Sequence, residues 1–229
     1  TCPINKESFK LGGYGEKYPG HTEMLADLTD TKKYSMMLAH GNLRTVHVTT
    51  HVSLRKACDL IKKDRIIDVI KIAHDACVAL SIENPKIAVA GLNPHAGDGG
   101  LFGDEEISEI IPAIKEARLR GYNVEGPTPS DSLYSRVMGG WYDIAVSMYH
   151  DQGHIPLKFA GFIWDEKINN WSSVSGVNVT LGLPVIRTSV DHGTAFGKAG
   201  KGRASEASLL NAIDYALEFA EDRSKKVRG

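Results

Sequence analysis

The sequence predicts an α/β fold built on a largely parallel sheet. Two runs, "KIAVAGL" (86–92) and "DIAVSMY" (143–149), have the unbroken hydrophobicity of strands buried on both faces. Helical periodicity fills the intervals between such runs, and no repeat or low-complexity segment interrupts the alternation.

Taken in order, "YSMMLA" (34–39) and "LRTVHVTTH" (43–51) read as neighbouring strands joined by a short turn at "HGN". Helices are predicted at about 54–62 and 66–80, the second with Ile66, Ile67, Ile70, Ala73 and Cys77 at helical spacing. After the strand at 86–92 comes a helix whose ends complement its dipole. Asp104, Glu105 and Glu106 open it, and Lys115, Arg118 and Arg120 lead to a stop at Gly121. Pro112 is expected to bend it. "VNVTLG" and "PVIRTS" (177–189) extend the sheet, and an amphipathic helix at about 205–220 follows.

Composition narrows the class. With 229 residues, 42% hydrophobic and 24% charged, the chain reads as an ordinary globular protein with room for one large domain or two small ones. A formal net charge of −1 gives no electrostatic reason to expect nucleic acid or an anionic membrane as partner. The cysteines Cys2, Cys58 and Cys77 are odd in number and lack CxxC spacing, so neither a disulfide framework nor a thiolate zinc site is indicated; a reducing, cytoplasmic setting is expected. No stretch is apolar for long enough to span a bilayer, and no charged-then-apolar leader opens the chain. Its first residues, "TCPINK", read as the interior of a longer protein.

The segment "MYHDQGH" (148–154) puts polar chemistry where a strand stops. A lone loop histidine is ordinarily a structural residue with a hydrogen bond. Here, however, three predicted strands end alike, "TVHVTTH" at His51, "IAVAGLNPH" at His95 and "IAVSMYH" at His150. Ligands of open α/β sheets bind beyond the carboxyl ends of the strands. Three neutral imidazoles and an open position suit a catalytic divalent metal, with Zn²⁺ leading and Co²⁺, Ni²⁺, Mg²⁺ or Mn²⁺ as further options. The pairs His47/His51 and His150/His154 are not expected on helices. The first lies in β-branched sequence, where four residues span roughly 13 Å, and Gly153 disfavours a helical turn in the second. His47, His154, His40 and His74 are accordingly read as structural or surface residues. "NPHAGDGGLFGDEE" leads into a helix N-terminus, a natural anion cradle, without the GK[ST] of a P-loop. Neither it nor "GKAGKGRAS" matches a Rossmann fingerprint.

The segments "GHTE" (20–23), "TTH" (49–51), "GLNPHAGDGG" (91–100), "YHDQG" (149–153), "LK" (157–158) and "GVNVTLGLPVIRTSVDHGTA" (176–195) together resemble the 4-hydroxythreonine-4-phosphate dehydrogenase family of pyridoxal 5'-phosphate synthesis. The resemblance implies a fold similar to isocitrate and isopropylmalate dehydrogenases, two α/β lobes with the active site in the cleft between them. Residues 21–150 would form the metal and substrate lobe, and 1–20 with 151–229 an incomplete nucleotide lobe, since the family's N-terminal portion is missing. His51, His95 and His150 become the metal ligands, in agreement with the strand-end reading. Substrate contacts are implied at His21, Thr22, Asp131, Lys158, Asn178 and Arg187. The "VDHGTAFGKAGKG" loop resembles an adenosine-binding loop, which gives Asp191, His192, Gly193 and Thr194 to NAD or NADP.

The implied reaction is a metal-dependent oxidation of a 4-phosphorylated 3-hydroxy acid, with Lys158 or Asp151 accepting the hydroxyl proton and CO₂ lost from the β-keto product. The first substrate expected is 4-phosphooxy-L-threonine. The long link "FAGFIWDEKINNWSSVS" (159–175) could instead tune the site toward 4-phospho-D-threonate or D-erythronate 4-phosphate. A homodimer with a shared active site is implied. Readings of another class are a non-catalytic metal-binding paralogue and a metal-dependent hydrolase.

Overall fold

The computed structural model describes residues 1–15, 17–167, 169–202 and 204–228. Ile168 of the long link and Arg203 of the last glycine loop lie outside the described residues. The chain is a mixed α/β protein of two compact units, Gly41–Leu157 and the combination of Thr1–His40 with Lys158–Gly229.

The central unit holds β2 (Leu43–His47), β3 (Ile87–Ala90), β4 (Val124–Thr128) and β5 (Ile144–Ser147). All their pairings are parallel, in the order β4-β3-β5-β2. Helices α3 (Leu54–Leu60), α4 (Lys63–Ala79), α5 (Ile111–Leu119) and α6 (Ser130–Met138) connect them. Ser53 starts α3 by accepting the Lys56 N–H at 3.2 Å. The predicted face of α4 is the buried one, with Ile66, Ile70, Ala73 and Cys77 fully enclosed beside Ile87, Val89 and Ile144. Burial pushes the Cys77 thiol up to about 12, so this cysteine is a core residue and not a nucleophile. The residues leading into α5, Glu106–Ile110, form a π-helical turn, and Pro112 sits in the first turn of α5. Glycine and proline inside "VEGPT" hide β4 from sequence reading. The strand tolerates them because its one pairing is with β3.

The other unit is antiparallel, which corrects the expectation of a largely parallel sheet. In it β1 (Ser35–His40) pairs with β8 (Val177–Leu181), and β8 with β9 (Arg187–Val190). The short link at 182–186 returns the chain as a hairpin, whereas parallel strands need a crossover. Helix α8 (Ala207–Arg228) buries Ala212 and Phe219, and its Ser208 hydroxyl donates to the Gly176 carbonyl at 2.6 Å. Helices α1 (Lys6–Leu11) and α2 (His21–Leu28) precede the sheet. The long link 159–175 contains a second hairpin, β6 (Phe162–Asp165) with β7 (Asn170–Val174). Helix α7 (His150–Gly161) follows β5.

Candidate active site

Because β2, β3, β4 and β5 run in one direction, their carboxyl ends share one edge of the sheet, and the predicted residues leave from that edge. The exit of β2 leads to His51, that of β3 to His95, that of β4 to Asp131 and that of β5 to His150. The strand carrying His51 is shorter than predicted: β2 ends at His47, although Val48 and Thr49 still donate to Ser147 and Met148 carbonyls at 2.8 and 3.2 Å.

His51 and His150 meet. Their ring centroids are 5.7 Å apart, and both line a cavity of about 290 Å³ with Thr50, Val52, Tyr149 and Asp151. His150 Nδ1 lies 2.7 Å from Asp151 Oδ1. A carboxylate at Nδ1 fixes the ring and leaves Nε2 for a ligand, the usual outer partner of a metal-binding histidine.

His150 and His154 do share a helix, contrary to the sequence reading. Their rings stack at 3.6 Å and 11°, His154 Nδ1 bonds the His150 carbonyl at 2.8 Å, and the buried His47 ring lies 4.9 Å from His154. Gly153 is in this helix because α7 lies directly on β2 and β5. A Cβ there would stand 2.5 Å from His47 Nε2 and 2.9 Å from both Ser147 Oγ and Thr45 Oγ1. That close approach outweighs the roughly 1 kcal/mol that glycine costs a helix. Below it, the buried Tyr134 hydroxyl, Ser147 Oγ and Thr45 Oγ1 form a hydrogen-bonded chain at 2.7 and 2.6 Å. Burial raises the Tyr134 pKa far above its ordinary value, so its hydroxyl remains neutral.

His95 is exposed on a loop wound in the left-handed sense, with φ values from 42° to 79° at residues 95–99. The organiser of that loop is Glu106, 1% exposed. Its Oε1 accepts the Leu92 and Asn93 N–H groups at 2.7 and 2.8 Å, and its Oε2 accepts from Asn93 Nδ2 at 2.9 Å. The cradle predicted for an external anion is thus filled at Leu92 and Asn93 by the protein's own carboxylate. Sequence reasoning treated Glu106 as a dipole complement, and no local signal marks its burial. Glu106→Gln sets an amide NH₂ against donors and should cost about 1–3 kcal/mol. A thermal melt checks this, and an unchanged Tm would contradict the assignment.

Among the described residues, no group of three His, Cys, Asp or Glu is arranged to hold a metal ion. One chain therefore brings together His51 and His150 but does not add His95 to them. His51 and His150 are imidazoles, a donor type that a divalent cation accepts, and they stand together in one cavity. Asp131, exposed in the first turn of α6, follows Ser130, whose Oγ donates to the Gly91 carbonyl at 3.2 Å.

In the antiparallel unit, Arg187 is buried, and its guanidinium donates to Thr180 Oγ1 at 3.0 Å and to Thr1 Oγ1 at 3.1 and 3.2 Å. Thr22 Oγ1 lies 3.2 Å from the same Thr180 hydroxyl. Burial first, and the Arg187 charge second, hold the His21 pKa below its ordinary value. Two predicted substrate residues, Thr22 and Arg187, thus meet at Thr180, and a third, His21, lies within the electrostatic reach of Arg187. Asn178, on the strand that bears Thr180, donates to Met36 Sδ at 3.1 Å, and its buried Oδ1 has no hydrogen-bond partner among the described residues.

Lys158 is held by Asp191, with Nζ 3.2 Å from the carbonyl and 3.4 Å from Oδ1, and sits 4.8 Å over the Phe162 ring. His192, Gly193 and Thr194 line a cavity of about 810 Å³ with Phe162, Lys198 and Gly200. Asp191 is buried and engaged with Lys158, and it is not part of that lining.

A mixed α/β chain with histidines at parallel strand ends, a buried arginine among hydroxyls and a glycine-rich cavity has the parts of a small-molecule enzyme. The chain belongs to the pyridoxal phosphate biosynthetic protein PdxA family, whose profile matches residues 1–216. The D-threonate 4-phosphate dehydrogenase of Cupriavidus necator is 49% identical over 225 residues, covering 98% of this chain and 64% of that protein. The crystal structure of 4-hydroxythreonine-4-phosphate dehydrogenase from Klebsiella pneumoniae superposes with a TM-score of 0.78 at 46% identity, covering 95% of this chain and 63% of that one. A terephthalate 1,2-cis-dihydrodiol dehydrogenase from Burkholderia xenovorans is more distant, with a TM-score of 0.70 at 30% identity, 96% of this chain and 65% of that one. The chain spans less than two thirds of the length of the curated relatives it matches. Among the described residues, no helix is long and apolar enough to cross a membrane.

Proposed function

We propose that this chain belongs to an NAD- or NADP-dependent, divalent-metal-dependent dehydrogenase that oxidises a 4-phosphorylated 3-hydroxy acid, with decarboxylation, in the cytoplasm. The observation that carries the reading is the meeting of His51 and His150 in one cavity, with Asp151 on the Nδ1 side of His150. These two imidazoles would hold the cation together with His95, delivered by a second copy of the chain in a homodimer. Zn²⁺ suits three imidazoles best, ahead of Co²⁺, Mg²⁺ or Mn²⁺. When bound, the cation supplies Lewis-acid activation of a hydroxyl, and the nicotinamide supplies the hydride acceptor.

The chain's own residues do the rest. Asp151 orients His150, which leaves Lys158 as the proton acceptor once it parts from Asp191. Arg187 offers a planar fork to phosphate or carboxylate, and His21, Thr22, Asn178 and Asp131 complete the substrate contacts. His192, Gly193 and Thr194 contact the nucleotide, with Asp191 behind them. The names of the curated relatives favour D-threonate 4-phosphate as substrate, ahead of 4-phosphooxy-L-threonine and D-erythronate 4-phosphate.

The test is to incubate the protein with NAD or NADP, a divalent metal and each of these acids. Absorbance of the reduced nicotinamide supports the dehydrogenase, phosphate release would point to a hydrolase, and metal uptake without either reaction to a binding protein. Lys158→Arg keeps the charge but cannot take a proton. It should lower kcat about 10²- to 10⁴-fold with KM little changed, and a change in KM alone would limit Lys158 to binding.

A further inference from the structure

We propose that Gln152 is a positioning residue that ties the exits of β3, β4 and β5 together, so that His150 is held toward its own cavity and the His95 loop is held in shape to serve the cavity of a second copy. The proposal rests on the metal reading above. Gln152 is 7% exposed, and its side-chain amide is fully engaged. Oε1 accepts the Met148 N–H at 2.5 Å, while Nε2 donates to the Gly91 carbonyl at 2.7 Å and to Ser130 Oγ at 2.8 Å. Each tied group stands next to a predicted site residue in sequence: Met148 two before His150, Gly91 four before His95, and Ser130 one before Asp131.

The chemistry requires this residue type. The Met148 amide needs an acceptor and the Gly91 carbonyl a donor, and only a primary amide of this length offers both at once. A carboxylate would set an acceptor against a carbonyl oxygen, and an apolar side chain would strand buried polar groups. Gly91 is fixed in turn, because a Cβ there would stand 2.8 Å from Ala96 Cα in the His95 loop. Rotating the Gln152 amide would therefore disturb both histidine-bearing exits, which a simple cap on α7 would not do.

The experiment compares wild type, Gln152→Met, Ser130→Ala and His95→Ala by amide hydrogen exchange and by Co²⁺ titration. Gln152→Met should raise exchange at residues 91–103 together with 148–152, and weaken Co²⁺ about 10- to 100-fold, the range for loss of an outer-shell partner. Ser130→Ala, which removes one acceptor of the Gln152 amide and one donor to the Gly91 carbonyl but keeps the Gln152 bonds to Gly91 and Met148, should give a smaller change in the same segments and decides the matter if Gln152→Met does not fold. Loosening confined to 148–152, or unchanged Co²⁺ affinity, would overturn the proposal. His95→Ala should lose Co²⁺ without altering exchange at 148–152. If wild type takes up no Co²⁺, the metal reading falls, and the tether then stands or falls on the exchange pattern alone.

Discussion

His150→Ala is expected to abolish divalent-metal uptake and nicotinamide-linked turnover together. The imidazole removed is the one that approaches both His51 and Asp151, so its loss leaves His51 as this chain's own imidazole in the cavity. The effect should exceed the about 10- to 100-fold cost of losing an outer partner. The Asp151→Asn variant, which keeps the shape but weakens the hold on Nδ1, should fall within that range. Isothermal titration with Zn²⁺ or Co²⁺ and nicotinamide absorbance provide the readouts. Normal turnover by His150→Ala in excess metal would remove this residue from the site. The variant should fold, because the His150 side chain is over a third exposed.

Gly153→Ala is the second large effect, and it concerns the scaffold. The added methyl would stand 2.5 Å from His47 Nε2 and 2.9 Å from two buried hydroxyls of the strands beneath. None of these atoms can move freely, since His47, Thr45 and Ser147 are fully enclosed. Overpacking of this kind costs about 1–3 kcal/mol and occasionally more. Helix propensity alone predicts the opposite, a gain of about 1 kcal/mol. A denaturant melt separates the two. A stability rise would mean that α7 does not lie on β2 and β5 as described.

These two substitutions mark what the sequence reveals and what it hides. The continuous apolar runs at β3 and β5 have few ways to fold other than as buried parallel strands. Their carboxyl ends lead to His95 and His150 in the sequence as they do in the fold. The face of α4 was equally legible, because its period is fixed by burial. Gly153 misled because propensity is a local quantity, whereas the helix exists by virtue of strands about a hundred residues earlier in the chain and just before it. The same holds for Glu106, whose role depends on a loop that only the fold brings back to it. The antiparallel half was missed for a different reason: apolar content shows burial but not strand direction. The strand in "VEGPT" was hidden by residues tolerated only at a position with a single neighbour.

Whether the imidazoles at 51, 95 and 150 serve one cation is tested by anomalous X-ray scattering from crystals grown with Zn²⁺. The predicted result is one peak per chain, about 2.0–2.1 Å from a ring nitrogen of each of the three histidines, with His95 reaching it from a neighbouring copy. A peak bound elsewhere, or a cavity at His51 and His150 that stays without zinc at saturating metal, would contradict it.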